Sequence, residues 1–93
     1  MSFACKCMAP NDFDSIFTGI VTDIKSNSDD NFSQIVSFSS IKLIQGGPLK
    51  SNKIYNSNVL LCGYNFKTGS TYKVFVINNP IPHTKYCYGT KSQ

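Results

Sequence analysis

Residues 32–47 read FSQIVSFSSIKLIQGG. Val36 and Phe38 alternate with polar neighbours, as a half-buried strand requires. Ile41 and Leu43 alternate as well, but their parity is off by one from the first pair. One extra residue near Ser39-Ser40, a β-bulge, would return all four side chains to one face. Gly46-Gly47-Pro48 then ends the element. Long strands that bend at a bulge are the material of small barrels, so this stretch reads as all-β.

Working outward, TGIVTDIKS (18–26) is a second strand, with Ile20, Thr22 and Ile24 alternating with Val21 and Asp23. Gly19 inside it marks a bulge or sharp bend. The preceding NDFDSIF (11–17) reads as one or two helical turns, capped by Asn11 or Asp12. On the other side, Lys53–Tyr55 is a third strand and Val59–Cys62 a further apolar stretch. Lys67-Thr68-Gly69-Ser70 is a turn. TYKVFVINN (71–79) sets Tyr72, Val74 and Val76 opposite Lys73, Phe75 and Ile77, and HTKYCYG (83–89) makes a final strand. The expectation is about five strands and one short helix in a single domain spanning 1–93, with no repeat and no linker.

At 93 residues the chain buries only roughly 60–65% of its unfolded surface, so cross-links would help it. Net charge is +4, and all nine cationic side chains are lysines. Arginine is the preferred fork for phosphates and guanine edges, so its absence argues against specific nucleic-acid recognition. The rings of Tyr55, Tyr64, Phe66, Tyr72, Tyr86 and Tyr88 read as core and cross-strand packing rather than a stacking platform for single strands. No apolar run approaches the ~18 residues of a membrane helix.

The four cysteines are Cys5, Cys7, Cys62 and Cys87. In a short secreted chain they imply two disulfides. A Cys5–Cys7 bridge would be strained, which leaves both other pairings open, and both tie the N-terminal segment to distant chain. Zinc knuckles usually space paired ligands by two or more residues, and Cys-x-Cys does not. Ser2 and Ala4 are small residues at the third and first positions before Cys5, the pattern of a signal-peptidase site. Met1–Ala4 are therefore read as a signal or tag remnant, and Asn31-Phe32-Ser33 is a glycosylation sequon that agrees with secretion.

Nothing points to an enzyme. His83 is the single histidine, placed in a turn and read as solvated. Asp12 and Asp14 read as helix-start charges, Asp29-Asp30 as a solvated pair. There is no phosphate loop or nucleotide fingerprint, and no cofactor is expected.

The ordered set of Cys-x-Cys opening, FTGIV, IKLIQGG, LCGY, F-x-x-G-x-x-Y-x-V-F and a last cysteine resembles the netrin-like module. Its best-known members are the tissue inhibitors of metalloproteinases, whose N-terminal domain is a five-stranded OB-type barrel. The resemblance spans residues 5–89. It implies disulfides Cys5–Cys62 and Cys7–Cys87, which would clamp the N-terminal segment to the barrel. It also implies a secreted, monomeric inhibitor of zinc metalloproteinases. The α-amine and carbonyl of a mature N-terminal Cys5 would chelate the protease zinc. Lys6 would enter the specificity pocket, while Cys7, Met8, Ala9 and Pro10 lie along the cleft. Asn58, Val59, Leu60, Leu61 and Cys62 would form the adjoining contact loop. The chain departs from the inhibitors at Lys6, where they carry Ser or Thr, and in lacking a third disulfide. The module also occurs in non-inhibitory adaptors, so the other expectation is binding of an extracellular protein or glycosaminoglycan.

Overall fold

The structure, a computed structural model, describes residues 12–28, 31–57, 63–79 and 81–93, and for Cys87 the backbone alone. Six strands form one sheet: β1 (Ser15–Ser26), β2 (Phe32–Gly46), β3 (Lys53–Ser57), β4 (Thr71–Val76), β5 (His83–Thr84) and β6 (Lys91–Ser92). Their order is β5-β3-β2-β1-β4-β6. All pairings are antiparallel except β3 with β5. The sheet curls into a half-barrel, and a bridge between Ile77 and His83 joins the chain after β4 to β5.

Bulges produce the curl. Ser39 pairs with Ile20 and Lys42 with Thr18, so Ser40 and Ile41 together face the single residue Gly19. The expected bulge is there, with Ser40 at φ 51°. Gly19 is required opposite it. A Cβ would stand 3.2 Å from a Phe17 ring carbon and 3.3 Å from Phe38, and those two rings meet edge to face at 5.1 Å. Ile44 is a second extra residue on β2, and Thr22 is one on β1.

The consequence expected of the bulge does not hold. Val36 and Phe38 are buried, but Ile41 and Leu43 are 37% and 41% exposed. The reason is the length of β3, which pairs only with Phe32–Ser37. Beyond that point β2 has one strand neighbour, and little covers its inner face.

Two other expectations are corrected. Ser15–Phe17, read as helical, open β1 and pair with both β2 and β4. Ladder bonds on both sides and burial of Ser15, Ile16 and Phe17 outweigh the local capping signals. Asp14 accordingly caps no helix. Its N–H donates to the Val76 carbonyl at 2.9 Å, and its Oδ2 accepts from the Asn78 N–H at 2.7 Å. The final segment is not one strand. His83–Thr84 pairs with β3 and Lys91–Ser92 with β4, at opposite ends of the strand order, so the chain must cross between them. A 3-10 turn at Tyr86–Tyr88 makes the crossing, followed by Gly89 at φ 99°. A buried hydroxyl pair, Thr84 with Thr90 at 2.7 Å, ties the two ends of the turn.

The concave side holds Phe17, Val21, Val36, Phe38, Ile54, Phe66, Tyr72, Val74 and Val76. Phe66 comes from the connection before β4. The alternation read in TYKVFV holds throughout β4: Tyr72, Val74 and Val76 face inward. Val59–Cys62 lies outside the described residues.

Candidate functional site

The expected protease-binding edge, Cys5 to Pro10 with Asn58 to Cys62, lies outside the described residues, as do the two expected disulfides. The first described residues are Asp12 and Phe13, and the Phe13 ring packs edge-on against Phe75 at 5.0 Å and Tyr88 at 5.6 Å. Tyr88 ends the 3-10 turn that contains Cys87. The N-terminal entry and the Cys87 turn are therefore neighbours.

His83 stands at the same rim and is 5% exposed, against the expectation of a solvated side chain. Its backbone makes the bridge to Ile77 and the parallel pairing with Tyr55, which carries the ring inward against Phe32 at 5.1 Å. Nδ1 lies 2.7 Å from the Ile81 carbonyl and Nε2 lies 3.0 Å from the Tyr88 hydroxyl. A carbonyl only accepts, so Nδ1 carries the proton and Nε2 accepts from Tyr88. Burial pushes the imidazole below its ordinary pKa, and Lys85 adds to this. Burial likewise raises Tyr88 above the usual phenol value, which keeps it a donor. A recess of about 290 Å³ opens beside this pair, bordered by Phe32, Ser57, Ile77, Asn79 and Lys85.

β3 ends at the same place. Asn56, 2% exposed, holds the chain that returns after residues 58–62. Its Oδ1 accepts the Tyr64 N–H at 2.9 Å, and its Nδ2 donates to the Tyr64 carbonyl at 2.6 Å and to Gln34 Oε1 at 2.9 Å. One amide side chain thus takes the place of a ladder partner for Tyr64. A recess of about 440 Å³ lies beside it, bordered by Ser33, Gln34, Ser57, Tyr64 and Asn65.

Two further recesses lie elsewhere. One, of about 330 Å³, separates Ile41 and Leu43 from Pro48–Asn52. The other, of about 300 Å³, lies among Lys25, Ile35, Lys53, Tyr55 and Pro82. The aromatics behave as packing residues: Phe66 and Tyr72 are buried, and Tyr64 leans on both. Tyr86 is the exception, 60% exposed with its ring 6.0 Å from that of Tyr64. Among the described residues no cluster of His, Cys, Asp and Glu could hold a metal ion. No helix among them is long and apolar enough to cross a membrane. Comparison with protein-family models, with curated proteins and with solved structures gives no match.

Sequence reasoning missed His83–Tyr88 and Asn56–Gln34. The second pair had a readable signal. Gln34 and Asn56 share the parity of the core residues Val36 and Ile54, and a polar residue at an inward position calls for a partner.

Proposed function

We propose that this chain is an extracellular, netrin-like module of OB type, and that its N-terminal edge inhibits zinc metalloproteinases. The strand path supports the fold half of the reading. β1 lies between β2 and β4, β3 runs parallel to β5, and a bridge leads from the end of β4 back to β5, a path compatible with a small Greek-key barrel. One observation carries the functional half. The N-terminal entry at Phe13, the Cys87 turn, and Ser57 just before residues 58–62 all border one rim around His83 and Tyr88. Phe13 and Ser57, described residues close in sequence to the two segments of the proposed edge, therefore border one rim, which is compatible with a shared contact surface.

The chemistry follows from the target. A catalytic zinc keeps one position for water, and a chelating amine and carbonyl from Cys5 would displace that nucleophile. The amine must be neutral, and metal coordination favours that form of an α-amine whose ordinary pKa is about 7.7–8. Disulfides Cys5–Cys62 and Cys7–Cys87 would pre-order the segment and lower the entropic cost of docking. Proteins beginning at Cys5 and at Met1, assayed side by side on a panel of zinc endopeptidases, test the reading. Inhibition by the Cys5 form alone supports chelation; equal potency of the two rejects it.

The adaptor reading has its own observation. Ile41, Leu43 and Ile44 are exposed on one stretch of β2. Contiguous exposed apolar surface marks protein contacts, and this stretch is remote in sequence from the N-terminal edge. An intact fold that inhibits no protease on the panel would favour this second reading.

A further inference from the structure

The concave face of β2 and β3 carries Val36, Phe38 and Ile54 at inward positions. The next inward positions toward the end of the half-barrel hold Gln34 and Asn56, paired directly across the two strands. Asn56 is fully engaged. Its amide hydrogens serve the Tyr64 carbonyl and Gln34 Oε1, and its oxygen takes the Tyr64 N–H. This arrangement orients the Gln34 amide and leaves its NH2 group without a protein acceptor among the described residues. Ser57 Oγ is buried and has no hydrogen-bond partner among them either. Both residues border the recess of about 440 Å³ at the mouth of the half-barrel, together with Ser33, Tyr64 and the exposed Asn65. Ser57 also borders the recess beside His83.

Charge separates this recess from the three others described above. Each of those has at least one lysine in its wall, and among the described residues this one has no ionisable group except the Tyr64 phenol. An ionic ligand would enter without a counter-charge. A purely apolar ligand would cover the Gln34 amide without pairing it, which weakens its binding. The match is a neutral molecule rich in hydroxyls that also has an apolar face. A sugar ring has both. The volume suits a small ligand, since such sites run about 300–1,000 Å³. Tyr64 supplies an aromatic border for the C–H face of the ring.

We propose that the mouth of the half-barrel binds a neutral saccharide. The Gln34 NH2 donates to a sugar oxygen, Asn65 adds a hydrogen bond, and Tyr64 borders the ring. This site lies on β2 and β3 and does not depend on inhibition by the N-terminal edge. The test is an NMR titration of the full chain, oxidised, with N-acetylglucosamine and with the methyl glycosides of glucose, galactose and mannose. The expected result is saturable shifts of the Gln34 and Asn65 side-chain amides with at least one of these. Asn65→Ala, at an exposed position that leaves the fold intact, should weaken that binding by about tenfold, the worth of one hydrogen bond. Gln34→Leu should do the same. Absence of shifts with all four sugars up to about 50 mM, where sites of ordinary weak affinity saturate, overturns the proposal. So does binding that both variants leave unchanged, and so does binding confined to a heparin disaccharide and abolished by salt.

Discussion

His83 holds its proton on Nδ1 because only a donor can meet the Ile81 carbonyl. A second proton would put charge on a buried ring beside Lys85 and force the Tyr88 hydroxyl to turn from donor to acceptor. The folded state therefore binds that proton less readily than the unfolded chain, whose imidazole titrates near 6.5. Stability from this group is complete above about pH 6.5 and is lost as pH falls toward the lowered folded value, by at most about 1.4 kcal/mol per pH unit. Urea denaturation at pH 7.5 and 5.5 should show the loss, and His83→Gln should flatten it. Asn56 makes a separate prediction. Asn56→Ala strips the half-buried Tyr64 backbone groups of their partners and should cost about 1–3 kcal/mol in the same assay. The importance of neither residue was legible from its immediate neighbours. His83 sits in a Pro-rich turn motif, and its ring packs against Phe32, which is distant in sequence. Asn56 could have been suspected from parity alone, because it falls two residues after the inward Ile54.

The β1–β2 pair shows what a sequence can and cannot disclose about an element. The bulge at Ser40 was legible because it is a matter of counting: two apolar pairs of opposite parity need one extra residue between them. The exposure of Ile41 and Leu43 was not, because it depends on where β3 stops pairing. NDFDSIF was misread for a related reason. A short apolar run behind capping residues suits a helix or a strand equally, and here partners on both sides decide for the strand. Leu43→Ser should accordingly change stability by no more than about 0.5 kcal/mol, whereas Phe38→Ala should cost about 3–5 kcal/mol. Denaturant midpoints compare the two. Ser40 pays for its left-handed backbone, so Ser40→Gly should leave stability unchanged or raise it by up to about 1 kcal/mol, and Ser40→Val should lower it.

For the whole molecule, the all-β class and the curl were readable from strand spacing, bulge and composition. The sixth strand and the turn that carries the chain between the sheet's ends were not, because two-residue strands leave no periodicity to read. The proposed cross-links give a prediction at this scale. Each would close a loop of more than fifty residues, worth on the order of 4 kcal/mol, so reduction should sharply lower the melting temperature. An unchanged melt would remove the clamp from the functional argument. The bridge between Ile77 and His83 has a different consequence. Among the described residues, the chain after β4 is stitched to β5 and β3 by the two-residue β3–β5 pairing, by the Ile77 and His83 amides bonded to each other's carbonyls, and by the Tyr55 amide bonded to the Pro82 carbonyl. So narrow a seam should part before the long β1–β2 ladder does. In deuterated buffer those three amides should exchange early, while the amides bonded across the β1–β2 ladder hold their protons until the entire chain unfolds. The half-barrel would then open and shut along one line while its spine stays whole. The rim that borders the N-terminal entry would be the part of the molecule that breathes.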